Sequence, residues 1–223
     1  MISVKSVSKS FGDKKVLKDL SLQINDGEIV GLYGESGCGK STLAKIMCGV
    51  EVADGGELFI DGVLVLSAKK YDRKAGKLIQ MVYQQPFSAL DPSQKVGSAL
   101  YEIVKYNRLA KSRADIKKIA YKVAVMMGIE RILNQLPSEI SGGEAQRVNL
   151  AMCLMLSPKL LILDEATSML DLSTQAEVLA KVKQIVETDR IAVLFISHDK
   201  ELVNYFCDRV YSYENYNVKE IHL

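Results

Sequence analysis

The sequence predicts an α/β fold with an antiparallel β subdomain and a helical insert, and three observations carry that expectation. A glycine-rich loop, Gly34-Glu35-Ser36-Gly37-Cys38-Gly39-Lys40-Ser41, sits between a short apolar run and a stretch with helical apolar spacing. A second apolar run, Leu160 to Leu163, ends in two acids, Asp164 and Glu165. Between them, from Gln84 onward, the hydrophobic pattern changes from the alternation of strands to the 3.6-residue period of helices.

Ile2 to Val7 and Leu20 to Ile24 alternate apolar and polar residues, as half-buried strands do, and Asn25-Asp26-Gly27 is a turn. Ile29 to Tyr33 reads as a short buried strand, and Thr42 to Val50 as a helix with Leu43, Ala44, Ile46 and Met47 on its apolar side. Glu57 to Ile60 and Val63 to Leu66 flank Asp61-Gly62, a hairpin signal. The polar, basic stretch Lys69 to Lys77 reads as solvated surface, and Leu78 to Tyr83 returns to strand. Val96 to Leu109 and Ser112 to Met127 are predicted helices. Ser112 with Asp115 forms a capping pair, and Gly128 is the stop. A helix from Gly143 to Leu156, the strand Leu160 to Leu163, a helix over about 173–187, a strand from Ile191 to Ser197 and a strand pair at Arg209–Tyr213 and Val218–Ile221 complete the order. The expected architecture is one domain over residues 1–223, with the helical insert at about 86–158.

The loop fits G-x-x-x-x-G-K-S at every fixed position and lies in the strand–loop–helix order that this motif requires. Glycines let backbone N–H groups turn inward around phosphates, and the helix that follows adds positive potential at its N-terminus. Lys40 would reach the β- and γ-phosphates, and the Ser41 hydroxyl would ligate Mg²⁺. The core is thus that of a P-loop NTPase. Asp164 closes an apolar strand, which puts its carboxylate at the carboxyl edge of the sheet, where it can hold Mg²⁺ directly or through water. Glu165 is the candidate to polarise an attacking water, because phosphoryl transfer needs positioning and charge stabilisation more than covalent help. His198 follows the strand ending at Ser197 and precedes a helix, a place from which it can sense a γ-phosphate. Gln84, where strand gives way to the insert, can touch Mg²⁺ or the water through its amide.

The segment Ser141-Gly142-Gly143-Glu144 lies between the loop and the acidic strand. This set and its order resemble the ATP-binding cassette (ABC) family over essentially the whole chain. Gly34 to Thr42 is similar to the Walker A motif, Gln84 to the Q-loop glutamine and Ile140 to Glu144 to the signature. Leu160 to Asp164 resembles Walker B, Ser168 to Asp171 the D-loop and His198 the switch histidine, while Phe11 matches the aromatic that stacks on adenine. The resemblance implies an ATPase core with ATP and Mg²⁺, in which two cassettes, identical or related, pair head to tail over two ATP molecules. Ser141, Gly142 and Gly143 would then meet the γ-phosphate held by the opposite subunit, with Asp171 nearby. The signature departs from the usual form at Ile140 and at Glu144, whose charge would lie near a phosphate unless it turns away. Gln85 replaces a common acid after Gln84.

Within that family, Ile79 to Pro92 (IQMVYQQPFSALDP) and Pro137-Ser138-Glu139 resemble the peptide and nickel importers. The resemblance implies an energy-coupling subunit at the cytoplasmic face of a membrane, bound to integral permease subunits, with an external substrate-binding protein as a further candidate partner. A non-transport ABC protein acting as an assembly module and an exporter subunit are the alternatives. Composition is consistent with this reading. The 223 residues, 48% hydrophobic, suffice for a sizeable core, and a net charge of +2 gives no global bias toward nucleic acid or anionic lipid. Cys38, Cys48, Cys153 and Cys207 lack metal-type spacing and read as reduced thiols. No apolar run approaches the ~20 residues of a membrane span.

Overall fold

The computed structural model describes residues 1–67, 70–214 and 216–221. It divides into two compact units: Met1–Met81 with Pro158–Glu165 and Lys183–Leu223, and Val82–Ser157 with Ala166–Val182. The second unit therefore begins earlier than the 86 expected for the helical insert, and it includes a segment beyond the acidic strand.

The first unit opens with the antiparallel pair β1 (Ile2–Phe11) and β2 (Lys14–Ile24). Alternation buries Ile2 and Val4, and an irregularity at Ser6, whose φ is 48°, then shifts the phase so that Val7 returns to the core. Next come β3 (Ile29–Tyr33), with four of its five residues buried, and α1 (Lys40–Met47). The hairpin β4 (Gly55–Ile60) and β5 (Val63–Ser67) turns at Asp61-Gly62 as expected. The stretch read as solvated surface holds more structure than its composition suggests. The two-residue β6 (Lys70–Tyr71) pairs with β5, and Asp72 caps a single-turn helix, α2 (Arg73–Gly76), by accepting from the Lys74 and Ala75 amides. Lys69 lies outside the described residues. The Tyr71 ring explains the order: it is partly buried, donates to the Met47 carbonyl at 2.9 Å and anchors the segment to the end of α1.

The second half of this unit supplies β7 (Ile79–Val82), β8 (Leu160–Asp164) and β9 (Ala192–Ser197), then α7 (Lys200–Phe206), β10 (Arg209–Glu214) and β11 (Asn217–Ile221). One sheet runs β2-β1-β4-β5-β6, and the other β11-β10-β3-β9-β8-β7. In the second sheet β10, β3, β9 and β8 are parallel neighbours. All residues of β8 and β9 are buried, the near-continuous apolar reading that a parallel strand covered on both faces requires. One apolar cluster joins both sheets to α1 through Leu43, Ala44, Ile46 and Met47.

The second unit is helical: α3 (Val96–Tyr106), α4 (Arg113–Met127), α5 (Gly142–Leu154) and the first turns of α6 (Leu172–Asp189), with 3-10 turns at Pro86–Ala89, Glu130–Ile132 and Pro137–Glu139. Helix α4 starts and stops as its sequence directs. The Ser112 hydroxyl accepts from the Asp115 amide at 3.0 Å, and Gly128 closes the helix at φ 68°. Cys38 and Cys207 are free thiols, and burial pushes the Cys153 thiol up to about 12. Among the described residues no helix is long and apolar enough to cross a membrane.

Phe195 in β9 is 1% exposed and meets Phe206 of α7 edge to face, with ring centroids 4.9 Å apart. Phe195→Ala should therefore lower unfolding free energy by about 3–5 kcal/mol. Phe87→Ala, at a half-exposed ring of the first 3-10 turn, should change it by no more than about 1 kcal/mol. Urea denaturation of both variants checks the contrast.

Candidate active site

The parallel ladder sets the geometry. Tyr33 at the end of β3 is in register with Ser197 at the end of β9, and Asp164 at the end of β8 with Ile196. The residues that follow all leave the sheet at its carboxyl edge: the loop from Gly34, Glu165, and His198. Sites in open α/β sheets form at that edge.

The loop from Gly34 to Lys40 owes its shape to Gly34 and Gly39, where no side chain fits. A Cβ at Gly34 would fall 2.5 Å from the Tyr213 carbonyl oxygen, and Gly39 has φ 119° with the Val16 carbonyl 2.9 Å from where its Cβ would be. The Tyr213 hydroxyl donates to that same Val16 carbonyl at 2.7 Å, so β2 and β10 brace the loop from outside. Lys40 opens α1 and is only 4% exposed; its ammonium donates to the Gly34 and Glu35 carbonyls at 2.7 Å each. Glu35, Ser36 and Gly37 are exposed, Cys38 is half-buried, and Lys14 and Lys15 flank a cavity of about 280 Å³ beside Gly37 and Cys38. Thr42 is half-buried in the first turn of α1.

Ser41 and Asp164, 123 residues apart, meet directly: the Ser41 hydroxyl donates to Asp164 Oδ1 at 3.0 Å. Burial, then the neighbouring Glu165 charge, push the Asp164 carboxyl up, opposed by the Ser41 hydrogen bond and by Lys40 and Lys45. A buried carboxylate beside a hydroxyl is a hard-oxygen donor pair that a divalent cation would complete. Among the described residues no cluster of three His, Cys, Asp or Glu forms a protein cage. Two protein oxygens, with water and phosphate oxygens supplying the rest, fit Mg²⁺.

Glu165 has φ 49°, a left-handed conformation that a glutamate adopts only under constraint, and its amide donates to the Ile196 carbonyl at 3.0 Å. That backbone turns its side chain toward His198, whose Nδ1 stands 3.0 Å from Glu165 Oε1. The two residues, 33 apart in sequence, form one acid–imidazole pair.

The remaining predicted site residues, apart from Phe11, lie in the helical unit. Gln84 donates through Nε2 to the Ser168 hydroxyl at 3.3 Å. Ser141 is the N-cap of α5, which opens at Gly142, one residue before the predicted start. Gly143 packs so closely that a Cβ would lie 2.4 Å from Thr174 Cγ2. Glu144 turns back on its own helix end, resolving the sequence-based alternative. Its carboxylate accepts from the Ser141 amide at 2.8 Å and hydroxyl at 2.7 Å, a capping box that holds its carboxyl below the usual range. Asp171 caps α6, accepting from the Thr174 amide and hydroxyl, which likewise hold its carboxyl low. Phe11, at the end of β1, is 49% exposed. Lys9, which sequence patterning passed over, sits beside it; the available signal was the two-residue spacing that puts both on one face of β1.

The ABC transporter family matches residues 17–168 of this chain. The chain is 36% identical over 198 residues to the oligopeptide transport ATP-binding protein OppF of Haemophilus influenzae, covering 88% of itself and 60% of OppF. It is 38% identical over 206 residues to the nickel import ATP-binding protein NikE of Escherichia coli, covering 92% of itself and 77% of NikE. It thus spans less than two thirds of the length of OppF. Among solved structures, the dimeric ATP-binding cassette MJ0796 in a post-hydrolysis state with ADP and Pi superposes at TM-score 0.85 with 28% identity, covering all of this chain and 99% of that one. The cbiO1 protein of Clostridium perfringens, part of the transporter complex cbiONQ, superposes at 0.85 with 26% identity, covering 98% and 86%. With the family match extending over more than half of its residues, this chain belongs to the ABC transporter family.

Proposed function

We propose that this chain is the ATP-binding and ATP-hydrolysing subunit of a membrane importer of the peptide or nickel type. In this reading it works at the cytoplasmic face of the membrane, with integral permease subunits, a second cassette and an external substrate-binding protein. The observation that carries the catalytic part is the shared carboxyl edge on which Lys40, Ser41, Asp164, Glu165 and His198 emerge. The names of OppF and NikE support the transport part.

In this reading the amides of Gly34 to Ser41 and the N-terminus of α1 bind the phosphates, with Lys40 as the principal side-chain cation. Ser41 and Asp164 would hold Mg²⁺, which would supply charge neutralisation for the phosphates. Glu165 orients the water, accepting its proton as the water attacks the γ-phosphorus and the bond from that phosphorus to the β–γ bridging oxygen breaks, with ADP as the leaving group. His198, on Oε1 of Glu165, fixes that carboxylate and faces the γ-phosphate. Gln84 keeps the Q-loop role that the family resemblance implies. Ser141, Gly142 and Gly143, with Asp171, belong to the contact with a second cassette, and Phe11 stacks on the base. Glu144, committed to its capping box, keeps its charge at its own helix end.

Copurification tests the transport reading: the tagged chain should bring integral membrane subunits out of detergent extracts, and recovery without them from intact membranes would contradict it. Lys40→Ala should weaken ATP binding about 10- to 100-fold, the worth of a hydrogen-bonded charge. Equilibrium dialysis reads the loss, and wild-type affinity would remove this loop as the ATP site. Glu165→Gln should bind MgATP normally and hydrolyse it about 10²- to 10³-fold more slowly, while accumulating as an ATP-bound dimer. Phosphate release and size-exclusion chromatography measure the two effects; turnover at the normal rate would shift the base role to His198.

A further inference from the structure

The phase shift at Ser6 that returns Val7 to the core also turns Lys9 inward, and the residue is only 8% exposed. A lysine held from water needs its charge answered. Lys9 Nζ pairs with the Glu51 carboxylate at 2.8 Å, donates to the Val52 carbonyl at 2.7 Å and stands 4.0 Å from Asp54. The hydrogen bond from Lys9 holds the Glu51 carboxyl below its usual range. Both anchors follow shortly after α1 within the same unit. The same ammonium lies 4.8 Å from the centroid of the Phe11 ring, two residues further along β1. It covers one face of a ring whose residue is 49% exposed. By contrast Lys5, over Phe59 at 4.7 Å, is an exposed side chain on the outer surface of the same strand.

A fixed cation behind an exposed aromatic does two things. It pins the ring, so that less rotational freedom is lost when a partner stacks on it. It also draws π density toward itself, leaving the open face poorer in electrons and better suited to an electron-rich purine. We propose that Lys9, anchored by Glu51, is a positioning residue for the nucleobase: it holds and polarises Phe11 as a platform for the purine of a bound nucleoside triphosphate. This rests on the reading that Phe11 faces the base.

The test compares MgATP with magnesium tripolyphosphate, which carries the phosphates without a base, by titration calorimetry on the full chain. Lys9→Met should weaken MgATP about three- to tenfold and leave tripolyphosphate within about twofold. In steady-state assays the loss should appear in KM for ATP. In a Phe11→Ala background Lys9→Met should have no further effect on MgATP, and Lys9→Arg, which keeps the cation, should recover part of the loss. Equal weakening of both ligands, or additive losses in the double variant, would overturn the proposal and leave Lys9 a structural residue. Wild-type MgATP affinity in Phe11→Ala would instead overturn the base-stacking reading beneath it, leaving the phosphate-loop assignment standing. If Lys9→Met does not fold, Glu51→Gln, which loosens the anchor, should show the same ATP-selective loss; an unselective loss there also counts against the proposal.

Discussion

The candidate site depends on the hydrogen-bonded ladder of β3, β9 and β8. Its register aligns Tyr33 with Ser197 and Asp164 with Ile196, so three segments distant in sequence leave the sheet side by side. A slip of one residue in a parallel ladder would turn the side chains at a strand end to the opposite face. It would separate Asp164 from Ser41 and Glu165 from His198, whose contacts are 3.0 Å each. Continuous burial of β8 and β9 makes such a slip expensive, because every residue of both strands is enclosed.

The chemistry is concentrated where the fold tolerates unfavourable local features. Lys40 and Asp164 are charged groups at 4% and 8% exposure, and Glu165 holds a left-handed backbone. Each is supported from elsewhere: Lys40 by loop carbonyls, Asp164 by Ser41, and Glu165 by its amide bond to β9. Strain and buried charge at a strand edge, sustained by an apolar core, are the pattern expected of a preorganised site.

Much of this was legible in the sequence because the phosphate loop, the two acids and the histidine each mark a strand end with its own local signal. β3 matched its predicted bounds, and the Ser112 and Gly128 signals for α4 were correct because caps are local. Illegible features were those set by tertiary contact. The order in Arg73–Gly76 follows from Tyr71 docking on Met47, which polar composition conceals. The turn of Glu144 onto Ser141 is by contrast local, a capping box whose three-residue spacing stands in the sequence. The inward turn of Lys9 follows from a bulge at Ser6 that reverses the phase of β1, which leaves only its two-residue spacing from Phe11 as a signal in the sequence.

The central claim is that Ser41 and Asp164 jointly hold the metal of a nucleotide seated on the Gly34–Ser41 loop. Anomalous diffraction from Mn²⁺ in crystals of the Glu165→Gln chain grown with ATP tests it most directly. The account predicts one manganese peak within coordination distance of Ser41 Oγ, near or bridged by one water to the Asp164 carboxylate, touching the β- and γ-phosphates. Nucleotide bound away from the loop, or manganese coordinated by neither residue, would contradict it.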